Sequence, residues 1–126
     1  MKKKITIGVA EDQQIYRDGL VHLLNDSDDY KVTIEAENGM EILMKMKGNV
    51  PDVVLLDYRM PELNGIEVAK KIRQKYEAVK ILLLSMFDNQ EFVVQAVECG
   101  ANGYLSKDDA PDEIMRAVDS VLATGY

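Results

Sequence analysis

Three carboxylates, a hydroxyl and an ammonium stand in this chain where short apolar runs end. Glu11 and Asp12 follow Ile5 to Ala10, Asp57 follows Val53 to Leu56, Ser85 follows Ile81 to Leu84, and Lys107 follows Gly103 to Ser106. Three acids brought close repel one another, so at least one must keep its proton unless a cation joins them. Mg²⁺ is suited to such a place, because it is hard and octahedral and takes one or two carboxylates, several waters and phosphate oxygens. Asp12 and Asp57 suit direct ligation, and Glu11 suits a contact through water. A carboxylate can attack phosphorus and form an acyl phosphate. Charge then grows on the three equatorial phosphoryl oxygens, where the metal, Lys107, the Ser85 hydroxyl and nearby backbone N–H groups would stabilise it. The chemistry indicated is acceptance of a phosphoryl group on Asp57.

Singly, each residue has a plainer reading: Asp12 as a helix cap, Asp57 as a loop acid, Ser85 as a turn hydroxyl, Lys107 as a solvated lysine. What joins them is the pattern of elements. Five short apolar runs alternate with five segments of helical period, a βαβαβαβαβα order that implies right-handed crossovers and a parallel sheet covered on both faces. Val53-Val54-Leu55-Leu56 and Ile81-Leu82-Leu83-Leu84 are apolar without alternation, as central parallel strands are. Lys31 to Ala36 is less apolar and reads as an edge strand. On the helices, Ile15, Leu20, Leu23 and Leu24 share one face, as do Ile66, Ala69, Ile72 and Tyr76, and Ile114, Val118, Val121 and Leu122. Asn38 with Glu41, Asn64 with Glu67 and Asp88 with Glu91 read as capping boxes, Pro111 as a first-turn residue and Gly100 as a stop. The expected fold is flavodoxin-like, a doubly wound (βα)5 sheet of strand order 2-1-3-4-5. Ligands of such sheets bind beyond the carboxyl ends of the strands. That order makes strands one, three, four and five neighbours, and gathers all five groups on one edge.

A chain of 126 residues has the size of one domain. Its net charge of −7 and pI near 4.7 disfavour direct contact with DNA or anionic lipid. No apolar run approaches a membrane span, and the stretch after Met1-Lys2-Lys3-Lys4 is too short for a signal-peptide core, so the expectation is a cytoplasmic protein without membrane contact. The single Cys99 cannot form an internal disulfide and reads as a small buried hydrophobe. His22 lies in the first helical pattern, away from the strand ends.

Glu11-Asp12 after the first strand, Asp57-Tyr58-Arg59-Met60-Pro61 with Gly65 after the third, Ser85 after the fourth, and Tyr104 with Lys107 at the fifth resemble the receiver domain of bacterial two-component response regulators. The resemblance covers essentially the whole chain, 1–126. Val9-Ala10-Glu11-Asp12-Gln13, Gly100-Ala101-Asn102-Gly103-Tyr104-Leu105 and Lys107-Asp108 resemble the NarL/FixJ-type subgroup. The resemblance implies that a sensor histidine kinase phosphorylates Asp57, that Asp12, Asp57 and the backbone carbonyl of Arg59 bind Mg²⁺, and that Ser85 and Lys107 hold the phosphoryl group. It makes Tyr104 the aromatic switch: as Ser85 moves inward, Tyr104 turns from exposed to buried. The face of helix four, strand five and helix five would then change, with Phe92, Val93, Val97 and Tyr104 as candidates and a homodimer as the output. His22 would lie on the helix that contacts kinases.

Such a protein catalyses only its own phosphorylation and dephosphorylation. Subgroup members usually carry a C-terminal helix-turn-helix domain that binds DNA. This chain stops at Thr124-Gly125-Tyr126, where a linker would begin, so the expectation is a receiver fragment of a transcription factor lacking that domain. The alternative is a stand-alone receiver acting through protein contacts. The sequence departs from the broader family in Glu11 for the more frequent Asp, in Asp108 for a proline after Lys107, and in Met86, which would crowd the phosphoryl pocket. A metal-dependent phosphohydrolase would need a second acid two residues after Asp57, where Arg59 stands. A flavin site would need small hydroxyl residues where Glu11-Asp12-Gln13-Gln14 stand. A receiver that is never phosphorylated is a third rival, but every required residue is present.

Overall fold

The computed structural model of the chain describes residues 4–86, 90–109 and 111–125. Among the described residues five strands and five helices alternate: β1 (Ile5–Ala10), α1 (Gln14–Asn25), β2 (Tyr30–Ala36), α2 (Gly39–Lys45), β3 (Val53–Asp57), α3 (Gly65–Lys75), β4 (Lys80–Ser85), α4 (Gln90–Glu98), β5 (Gly103–Ser106) and α5 (Pro111–Thr124). The strands form one sheet, ordered β2-β1-β3-β4-β5, and every pairing is parallel. Expected and observed topology agree.

The unbroken apolar runs have a direct cause. Val54, Leu56, Ile81 and Leu83 join a core with Ile42, Ile66, Ala69, Ile72 and Phe92 beneath α2, α3 and α4. Val53, Leu55, Leu82 and Leu84 join a second core with Leu20, Leu24, Ile114, Val118 and Val121 beneath α1 and α5. Successive side chains of a strand point to opposite faces, and here both faces are dry. β2 lies at an edge and keeps Lys31 and Glu35 exposed.

Local signals set the element ends. The Asn64 side chain accepts from the Glu67 N–H at 2.9 Å while Glu67 accepts from the Asn64 N–H at 3.1 Å, a complete capping box for α3. The box on α2 is half of that. Asn38 accepts from the Glu41 N–H at 2.8 Å, but Glu41 reaches past it to the Glu37 N–H at 2.7 Å. Gly100 ends α4 with a φ of +89°, a conformation side chains resist. The box expected at Asp88 lies outside the described residues.

Ile15 is a correction. Periodicity places it on the buried face of the first helix, yet it is 91% exposed. α1 begins at Gln14, so Ile15 falls in its first turn, and the buried face of the helix is Leu20, Val21 and Leu24. Tyr76 also falls outside its helix: it is the C-cap of α3, half-buried against the core.

Candidate functional site

Backbone pairing carries on past the strand ends and thereby fixes the loops that bear the chemistry. The Glu11 N–H donates to the Ala36 carbonyl at 3.0 Å, the Tyr58 N–H to Leu84 at 2.8 Å, and the Lys107 N–H to Ser85 at 3.0 Å. Glu11, Asp57, Ser85 and Lys107 are thus aligned by the ladder itself. Gly65 closes the loop after β3, its N–H donating to the Tyr58 carbonyl at 2.9 Å. A Cβ at Gly65 would lie 2.6 Å from the Asp57 carbonyl oxygen, so the start of α3 can approach Asp57 this closely only as glycine.

Asp57 is 4% exposed and Glu11 is fully buried, whereas Asp12 is exposed at the rim. Carboxylate oxygens of the three lie within 4.8 Å of one another. Burial, then the hydrogen bond and charge of Glu11, push the Asp57 carboxyl up to about 8, with Lys107 opposing. The crowding is that of an acid cluster suited to a cation. Three hard oxygen donors with one member open to solvent fit a divalent ion such as Mg²⁺, which keeps part of its water shell.

Lys107 brings the positive charge. Its side chain is 5% exposed, and its Nζ is 3.5 Å from Asp57 Oδ2, forms an ion pair with Glu11 Oε1, and donates to Gln13 Oε1 at 3.0 Å. The ammonium also sits 4.5 Å from the centre of the Tyr16 ring. Glu11 is held in turn, its Oε2 accepting from the Gln13 N–H at 3.1 Å and its carbonyl accepting from Arg17 at 2.7 Å. Burial and the carboxylates of Glu11 and Asp57 push the Tyr16 hydroxyl up to about 12, so the ring stays neutral.

A cleft of about 190 Å³ opens over Asp57, lined by Asp12, Gln13, Tyr58, Arg59, Ser85, Met86 and Lys107. Its size admits a phosphoryl group with a few waters. Ser85 is buried on its floor, and Met86 is 61% exposed on its wall. From the cleft a run of edge-to-face rings leads outward: Tyr58 to Phe92 with centroids 5.3 Å apart, then Phe92 to Tyr104 at 6.0 Å. Phe92 is buried, whereas Tyr104 is 43% and Val97 69% exposed.

The structure therefore brings Glu11, Asp12, Asp57, Ser85 and Lys107 together, with Arg59 at the cleft and Tyr104 reached from it through the rings of Tyr58 and Phe92. Sequence reasoning missed Gln13, Tyr16 and Tyr58. A glutamine and a tyrosine entering a helix carry no signal of their own; only the path of the lysine side chain reveals them. His22 is exposed on α1, beside a groove of about 420 Å³ between α1 and α5 that Ile15 and Leu23 also line.

A parallel sheet of this order, with three acids and a lysine gathered at its carboxyl edge, has the architecture of a receiver-type signalling domain. Residues 7–119 match the response regulator receiver domain, and the chain belongs to that family. It is 41% identical over 121 residues to the transcriptional regulatory protein LnrK of Bacillus subtilis, covering 96% of this chain and 55% of that protein. It is 35% identical over 118 residues to the nitrate/nitrite response regulator NarL of Escherichia coli, covering 94% of this chain and 55% of the relative. The signal receiver domain of NarL from Mycobacterium tuberculosis superposes with a TM-score of 0.91 at 38% identity, covering 98% of this chain and 99% of that one. The receiver is thus of the NarL/LuxR type. The chain spans about half the length of the curated relatives it matches.

Proposed function

We propose that this domain accepts a phosphoryl group on Asp57 from a sensor histidine kinase, with Mg²⁺, and thereby controls transcription through a DNA-binding domain on the C-terminal side. The observation that carries this is the placement of the Asp57 carboxylate: buried, 3.5 Å from the Lys107 ammonium, crowded by Glu11 and Asp12, and open on one side to a cleft of phosphoryl size.

The ion would be held by Asp12 and Asp57, with the Arg59 carbonyl as a third protein ligand and Glu11 acting through water. When bound, it neutralises the acids and draws charge from the phosphoryl oxygens. Asp57 forms the new P–O bond as the P–N bond of the donor phosphohistidine breaks, and the imidazole leaves with the electron pair. Lys107 shifts from Glu11 toward the phosphoryl oxygens, and the Ser85 hydroxyl donates to another. The chain catalyses its own phosphorylation and, with water, its own dephosphorylation, and no other turnover. Movement of Ser85 frees space beside β4, which Tyr104 fills by sliding along the Phe92 ring. The surface bearing Val97 and Tyr104 then changes shape and dimerises. A population shift needs only that the phosphorylated site bind one arrangement better, and a full switch takes about 5.5 kcal/mol.

The domain is incubated with Mg²⁺ and a small phosphodonor and weighed intact by mass spectrometry. One added phosphoryl group, abolished by Asp57→Ala, is expected. No gain from either the small donor or a cognate kinase overturns the reading.

A further inference from the structure

We infer that Tyr16, on the first turn of α1, is the positioning residue for Lys107, its ring face steering the ammonium between Glu11 and a phosphoryl group on Asp57. This rests on the phosphoacceptor reading of Asp57.

A lysine on a flexible four-carbon stem is a poor fixed charge unless its surroundings hold it. Here the ammonium is nearly excluded from water, and its direct partners among the described residues are Glu11, Gln13, Asp57 and the Tyr16 ring. Gln13 takes an N–H in a set direction and Glu11 holds the ammonium as an ion pair, so both anchor the lysine on the α1 side, while Asp57 is the looser contact at 3.5 Å. To grip a phosphoryl oxygen, Lys107 must loosen those anchors. The ring is the partner that need not be given up. A π face attracts a cation over a broad area without claiming a particular N–H, and the attraction is strongest where water is absent. The ammonium can therefore slide toward Asp57 while remaining over the ring.

The hydroxyl of Tyr16 supports a role for the face rather than the tip. It is buried and has no hydrogen-bond partner among the described residues, although buried tyrosine hydroxyls ordinarily find one. What the ring offers this site is its face, so phenylalanine should serve as well and an aliphatic side chain should not.

The test combines a spectrum with a rate. In the wild-type domain, ring current should move the Lys107 Cε protons upfield in the NMR spectrum. Tyr16→Phe should keep that shift, and Tyr16→Leu should lose it. With acetyl phosphate and Mg²⁺, Tyr16→Leu should lower the limiting rate of phosphorylation roughly three- to tenfold with little change in the half-saturating donor concentration, while Tyr16→Phe stays within about twofold of wild type. In a Lys107→Ala background, Tyr16→Leu should have no further effect, because the residue it positions is gone. Tyr16→Met serves if the leucine variant does not fold. A wild-type Lys107 without the upfield shift, an unchanged rate in Tyr16→Leu, or an equal loss in the Lys107→Ala background each overturns the proposal. A wild-type domain that gains no phosphoryl group instead overturns the reading beneath it, and the proposal falls with it.

Discussion

Replacing Asp57 by asparagine removes a titrating carboxyl while keeping its shape, and the effect on stability can be worked from the site. Burial and Glu11 push the Asp57 carboxyl up to about 8, whereas an unfolded aspartate titrates near ~3.9. Between those values the folded chain keeps a proton that the unfolded chain has lost. The stability this proton supplies is complete below about pH 4 and drains away as pH rises toward 8. The limiting slope is about 1.36 kcal/mol per pH unit, or ~2.7 kcal/mol between pH 5 and 7. Screening at the open mouth of the cleft reduces that to about 1.5 kcal/mol. For a domain of this size that is a fall of roughly 4–8 °C in melting temperature. The assay is thermal unfolding by circular dichroism in EDTA at several pH values, for wild type and Asp57→Asn. Other carboxylates titrate in both proteins, so the difference between the two curves isolates Asp57. The asparagine variant should be the more stable at about pH 7 and above, and the two should converge near pH 4. Saturating Mg²⁺ should raise the wild-type midpoint by an amount equivalent to ~2.7 kcal/mol at a hundredfold excess over its dissociation constant, and the variant far less. Parallel curves, or a wild type that gains stability relative to the variant as pH rises, would refute the reasoning.

Further outcomes follow from single contacts. Gly65→Ala forces a Cβ to within 2.6 Å of the Asp57 carbonyl, and should cost about 2–3 kcal/mol in urea unfolding and slow phosphorylation as the loop shifts. Arg73 donates to the carbonyls of Gly100, Glu77 and Val79 and to the Asn102 side chain at 2.7–3.1 Å. Arg73→Ala should therefore cost about 3 kcal/mol in the same assay, with lysine a poor substitute because it lacks the planar fork. Phe92→Ala empties the space between two rings and should cost about 3–4 kcal/mol, whereas Tyr104→Ala, at a half-exposed ring, should cost under ~1 kcal/mol yet uncouple phosphorylation from dimerisation measured by sedimentation.

The fold was legible because its signals are local. Five apolar runs separated by helical periods permit few arrangements, and crossover handedness removes most of those. Helix faces were legible where the helix lies on the sheet, as with Ile114, Val118 and Val121. Legibility failed at Ile15, because periodicity does not reveal which turns of a helix its neighbours cover. It was partial at α2, where the chain before Asn38 bends so that Glu37, not Asn38, meets the Glu41 carboxylate.

By itself the sequence determined which residues could do the chemistry. Glu11, Asp12, Asp57, Ser85 and Lys107 stand at or just past strand ends, and a parallel sheet must bring such positions to one edge. Only the tertiary structure decided how they meet. Glu11 is buried and Asp12 lies at the rim, so one acid meets the lysine and another meets solvent. The path of the Lys107 side chain brings in Gln13 and Tyr16, from the far end of the sequence. Such partners are set by packing between distant elements, and no local pattern records them.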